Sequence, residues 1–134
     1  MRLIPRMTTG LVFALLVLVG CPPLASASNP LQSWPASCQV TQTSLNLCAS
    51  KYLDVANTQL HAWLQRERAA GFLKSDVDRV ERQWEAYRTT ECAMTSRRYQ
   101  NGTIYPLTYG LCEITLTQAR IAQIRDDIAA LKTP

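Results

Sequence analysis

The residues of this chain best suited to chemistry are its sulfurs. Cys21 closes an apolar leader, and Cys38, Cys48, Cys92 and Cys112 lie beyond it. Thiolates can attack a substrate, hold a metal or oxidise in pairs. Neither close pair has C-x-x-C spacing, and His61 is the single histidine, so no metal ligand set is expected. Four cysteines in a small exported chain read as a disulfide framework, and oxidised sulfurs neither attack nor bind zinc. His61 could act as a general base, but no serine or thiolate has a spacing that suggests a partner for it. The 10 acidic residues fall mostly in mixed-charge stretches, and a glycosidase would need two of them across a cleft. The chain is therefore read as a non-enzyme, with no catalytic residue and no cofactor.

The leader sets the compartment. Arg2 and Arg6 precede Leu11 to Val19, an uncharged apolar run too short to span a bilayer comfortably. Residues 1–27 read as an export signal, and two cleavage patterns are both satisfied. Leu18-Val19-Gly20-Cys21 resembles a lipobox, which would place a lipid on Cys21. Ala25-Ser26-Ala27 is an A-x-A site, with Pro22-Pro23 breaking the helix before it. The product would be periplasmic, either soluble or lipid-anchored, and would meet the membrane only through the signal or the lipid.

Removing Arg2 and Arg6 from the 14 Lys and Arg leaves 12 against 10 Asp and Glu, so the exported part is near +2. That charge is weak and interspersed, which excludes nucleic acid as a partner.

The elements that hold the sulfurs are helical. Residues 28–37 contain Pro30 and Pro35 without helical spacing and read as a tether, with Trp34 packing at the domain edge. From Ser44 on, Leu45, Cys48, Tyr52, Leu53, Ala56, Leu60, Trp63 and Leu64 recur at three- and four-residue steps. Gly71 suits the stop of this first helix. Ser75 can cap a second helix, with Asp76 and Asp78 in its first turn. Its expected stripe is Val77, Val80, Trp84, Tyr87, Glu91 or Cys92, and Met94, with Arg79, Glu81, Arg82 and Glu85 facing solvent. It should end near Arg98. Asn101-Gly102 signals a turn, and Pro106 argues against a smooth helix through Tyr99 to Tyr109. A third helix carries Leu111, Ile114, Ile121, Ile124, Ile128 and Leu131. No strand pattern of useful length is present. Residues 38–134 are thus expected to form an all-α domain. It would be a small antiparallel three-helix bundle stapled by disulfides, with room for a short extra N-terminal helix.

A core this modest benefits from staples. Four cysteines allow three connectivities. The local one, Cys38–Cys48 with Cys92–Cys112, is favoured because the second and third helices must lie antiparallel across a short loop. The Cys92–Cys112 bridge would close about twenty residues, worth roughly 3 kcal/mol on the chain-entropy account.

The connection between these two cysteines is the main candidate binding site. It holds Arg97, Arg98, Tyr99, Asn101, Thr103, Tyr105 and Tyr109. Tyrosines offer contact area at low entropy cost, and a bridge at the base lowers the cost of ordering. The competing reading is a connector whose tyrosines pack on helix ends. Trp84, Tyr87 and Arg88 could form a hot spot. The structural reading places Trp84 in the core and pairs Arg88 with Glu113 or Glu91. Arg120, beside Ile121 and Ile124, reads as a structural ion-pair partner.

The run Gln83-Trp84-Glu85-Ala86-Tyr87-Arg88-Thr89-Thr90-Glu91-Cys92 completes a pattern. With Asn46-Leu47-Cys48-Ala49, Tyr52 and Thr117-Gln118-Ala119-Arg120, it resembles the LprI-like domain family. These are small exported bacterial proteins named after a lysozyme-inhibiting lipoprotein. The resemblance runs from about Cys38 to Ile128. Thr89 stands where the family often has an acid, and Asn101-Gly102-Thr103 where it often has paired glycines before a small hydroxyl residue. The resemblance implies a helical, disulfide-bonded envelope protein and points to lysozyme inhibition by cleft blocking. The alternative is a structural or accessory protein that binds another envelope protein.

Overall fold

In the computed structural model, the described residues are 30–132. Residues 1–27, read as an export signal, and the candidate lipidation site Cys21 lie outside them. Three helices dominate: α1 (Gln42–Ala69), α2 (Lys74–Ser96) and α3 (Tyr105–Ala130). Among the described residues there is no strand.

The segment read as a tether is folded from Pro30 onward. Short 3-10 turns at Pro30–Ser33 and Ala36–Gln39 lead into α1. Between them Trp34 is only 5% exposed, and its ring stacks on Tyr52 at 5.0 Å. One indole buried against a helix suffices to hold a proline-broken segment that lacks helical spacing of its own.

α1 starts two residues earlier than Ser44. The Thr41 hydroxyl accepts from the Ser44 N–H at 3.0 Å, and the Ser44 hydroxyl accepts from the Thr41 N–H at 2.9 Å. This is a reciprocal capping box with serine in the third position. The helix closes at Ala70, and Gly71 follows with φ 113°, a left-handed conformation that favours glycine. A side chain there would meet nothing within 4 Å, so the glycine serves the backbone and not the space.

α2 begins at Lys74 with no side-chain cap, so Ser75 lies inside the first turn and does not cap it. Its buried face also differs from the apolar stripe. Val80, Tyr87 and Met94 are 43%, 53% and 62% exposed. The inward line is Val77, Glu81, Trp84, Arg88, Cys92 and Ser96, of which Trp84 and Arg88 are half-buried. Glu81, expected in solvent, is buried. Polar partners across the bundle and the Cys92 bridge set the phase of this helix, and hydrophobicity alone does not encode either.

α3 starts at Tyr105, six residues before the expected stripe, with Pro106 in its first turn. A proline is tolerated there because that N–H has no intrahelical acceptor anyway. Leu131, expected on the buried stripe, is exposed.

Each of the outer helices leans on α3, and α1 and α2 touch little. Gly110 of α3 lets the backbone of α1 approach closely, since a Cβ at 110 would sit 3.2 Å from Ala49 Cβ. Two apolar clusters result. One gathers Trp34, Cys38, Ala49, Leu107 and Ile114. The other gathers Leu60, Leu64, Val77, Ile121 and Ile124. The disulfides are Cys38–Cys48 and Cys92–Cys112, with Cα separations of 5.8 and 5.5 Å, and both lie at the end holding the start of α1.

Candidate functional site

The stapled end carries the candidate binding residues, which divide into two groups. Arg97, Arg98 and Tyr99 form a 3-10 turn at the end of α2. The chain then reverses tightly, with the Gly102 N–H donating to Tyr99 O at 2.8 Å and the Tyr105 N–H to Gly102 O at 3.1 Å. Asn101 and Thr103 sit exposed on this reversal. The Arg98 guanidinium lies 4.7 Å above the Tyr99 ring, and neither Arg97 nor Arg98 makes an ion pair among the described residues.

Tyr105 and Tyr109 belong to the first turns of α3, not to a loop. Their rings tilt together at 5.8 Å and line an open cleft of about 310 Å³ between α3 and α1. Asn46, Ser50 and Leu53 supply the α1 wall, and Glu113 closes it. Asn46 joins the two groups, because its side-chain amide donates to Thr103 O at 2.9 Å. The role of Asn46 was not read from the sequence. A partner 57 residues away leaves no local signal, although Asn46 was part of the family pattern.

A polar chain runs inward from the cleft. Burial, the negative charge of Glu113 and a hydrogen bond with that carboxyl all raise the Tyr109 phenol above its usual range, so it stays protonated. Glu113 faces Arg88 at 3.8 Å. The same guanidinium donates to Asn57 Oδ1 at 2.9 Å and Thr117 Oγ1 at 2.7 Å, and lies 4.8 Å over the Trp84 ring. Trp84 and Arg88 are therefore structural and do not join exposed Tyr87 in a surface patch.

The opposite end is electrostatic. Arg120 pairs with Glu81 at 3.3 Å inside the bundle and donates to Oε1 of exposed Gln123 at 3.0 Å. Glu67, 5% exposed, lies near them with one carboxylate oxygen lacking any hydrogen bond. Desolvation raises both Glu67 and Glu81 above the ordinary carboxylate range, although Arg120 pulls each of them down. The spacing of apolar residues puts Glu81 in solvent and does not single out Glu67, since charged residues inside a small bundle break that pattern.

These pairs also remove an acidic surface. Asp78 is held by Arg68 and Lys74, Asp76 by Arg79, and Glu81 is buried. No continuous negative face of Asp76, Asp78, Glu81 and Glu85 is presented. His61 is exposed beside a shallow depression shared with Arg68 and Asp78. Among the described residues, no three His, Cys, Asp or Glu side chains could hold a metal ion. No helix among them is long and apolar enough to cross a membrane.

A family model described as lysozyme inhibitor LprI matches residues 35–124. No curated protein and no solved structure matches the chain. The family is one of inhibitors, proteins that block a reaction instead of running one. The match takes in both disulfides and the Arg88 and Arg120 networks, so the chain belongs to the lysozyme inhibitor LprI family.

Proposed function

We propose that this chain is an exported inhibitor of lysozyme that blocks the substrate cleft with its stapled end. The supporting observation is the pairing of family membership with two exposed arginines, Arg97 and Arg98, that have no carboxylate of their own. They sit on a turn held between a disulfide and the Asn46–Thr103 hydrogen bond. A glycoside hydrolase of this kind works with two carboxyl groups flanking the scissile bond. A guanidinium presented on a rigid turn can meet them with charge-assisted hydrogen bonds. Exposed Leu47 and Ile104 at the same end supply apolar area beside it.

No bond is made or broken. The inhibitor gains by arriving pre-ordered, because the bridge has already removed much of the freedom that binding would otherwise cost. Long-range attraction plays little part. The exported portion is near +2 and lysozymes of the animal type are cationic, so affinity rests on short-range fit.

Export through residues 1–27 delivers the cysteines to a compartment where disulfides persist. Mass spectrometry of the mature N-terminus distinguishes a lipid-bearing Cys21 from a free Ser28. A turbidity assay of lysozyme-driven lysis, run with a molar excess of purified protein, tests the main reading. Slowed lysis supports it. Equal rates with and without the protein overturn it in favour of an accessory envelope protein. If lysis slows, replacing Arg97 and Arg98 together by alanine should weaken inhibition about thirtyfold, the effect of losing a hot spot of about 2 kcal/mol. An unchanged inhibition constant would move the site away from this turn.

A further inference from the structure

The end of the bundle remote from the disulfides carries a second surface of different chemistry. Trp63 lies half-buried on α1, with the Arg66 guanidinium 4.4 Å and the Arg125 guanidinium 5.6 Å from its ring centroid. Trp63, Ala69, Ala70 and Ile128 floor an open groove of about 570 Å³, rimmed by Arg66 and Lys132. Leu131, next in the chain to Lys132, and Leu73, three residues after Ala70, are 56% and 68% exposed. Arg66, Arg125 and Lys132 make no ion pair among the described residues. Asp126 and Asp127 follow Arg125 in the chain, but neither lines the groove or pairs with these three cations.

Cations without an ion-pair partner among the described residues, set around an apolar floor, match one kind of occupant. Phosphate oxygens suit guanidinium forks, and an indole with cations over its ring suits the boundary between headgroup and acyl chain. An acidic polymer in solution would satisfy the charges but leave Leu73 and Leu131 in water. We propose that this end docks on a membrane surface rich in anionic phospholipid, through Arg66, Arg125 and Lys132 with Trp63 and Leu131 at the interface. The stapled end then points away from the bilayer, free for a second partner. This docking does not depend on lysozyme inhibition, and either can fail alone.

The test uses the disulfide-bonded protein without its export signal, so that no lipid anchor contributes. Co-sedimentation with vesicles of mixed phosphatidylglycerol and phosphatidylcholine is compared with phosphatidylcholine alone. The expected result is binding to the anionic vesicles only, weakened by salt, with a blue shift of tryptophan fluorescence. Each cation near such a surface is worth about a fivefold change in partition. The triple variant Arg66→Gln, Arg125→Gln, Lys132→Gln should therefore lose about a hundredfold. Leu131→Ser, an exposed change that spares the core, should lower partition with its melting curve unchanged. Equal binding to neutral vesicles, or an unaltered partition of the triple variant, overturns the proposal. So does binding to soluble polyglutamate without binding to vesicles, which would mark an acidic protein as the occupant.

Discussion

The two ends of the bundle are held by different physics. At one end, two covalent bridges and the Trp34–Tyr52 stack fasten the start of α1, the close of α2 and the first turns of α3. At the other, the helices meet over an apolar cluster that must also house Glu67, Glu81 and Arg120. Bridges act mainly by restricting the unfolded chain and are indifferent to pH. Buried ion pairs offset large desolvation costs with mutual attraction and depend on every member being present. The contrast suggests a division of labour. The stapled end can present an irregular, exposed turn without losing its shape, whereas the other end fixes how α2 sits on α3.

The largest effect should come from the staples. Reducing both disulfides should lower the unfolding free energy by about 6 kcal/mol, the sum for loops of this size and comparable with the whole stability of a small domain. Urea melts with and without reductant give the value, and a shift under 2 kcal/mol (about a third of that expected) would break the contrast between the ends.

Next comes Arg120→Met, which leaves Glu81 inside the bundle without its ion-pair partner. It should cost about 3 kcal/mol at neutral pH, while the double change Glu81→Met with Arg120→Met should recover most of the loss. Equal costs for the single and double variants would show that packing, not charge, holds this end.

A smaller effect is expected for Asn46→Ala, about 1 kcal/mol from the bond to Thr103 O. It should also raise amide exchange in residues 100–104, and exchange confined to other segments would contradict the proposed bracing of the turn.

The last comparison concerns pH and has the opposite sign. Glu67 and Glu81 have folded pKa values raised above 4.5, so the folded state binds these protons more tightly than the unfolded chain. Stability is then fullest below about pH 4.5 for these groups and falls as pH rises through their folded values. Glu67→Gln should raise the urea midpoint at pH 7 and leave it unchanged in acid. A midpoint lowered at pH 7 would mean that the carboxylate is ionised and well paired.

Much of this arrangement could be read from the chain, and the misses share a cause. The α1 stripe from Leu45 to Leu64 is apolar at nearly every buried position, so spacing alone found the helix and its face. α2 failed the same test because its buried line includes Glu81 and Arg88, whose partners Arg120 and Glu113 lie on another helix. Val80 and Tyr87 supplied an apolar decoy one step away. The start of α3 was hidden by Pro106, a residue that ends helices inside but opens them at the first turn. The candidate turn was visible through its tyrosines and its flanking cysteines. Its support by Asn46 was not, since that hydrogen bond reports on tertiary proximity and on nothing local.

The scant contact between α1 and α2 has a kinetic consequence. α3 is the spine on which both neighbours hang, and the only covalent bond between α2 and α3 among the described residues is at the Cys92 end. A thermal opening should swing α2 outward like a gate, hinged at the sulfur bridge and parting first near Val77. The amides around Val77 would then exchange with deuterated solvent well before those of Ile114 to Ile124, whose protection would persist until the whole domain melts.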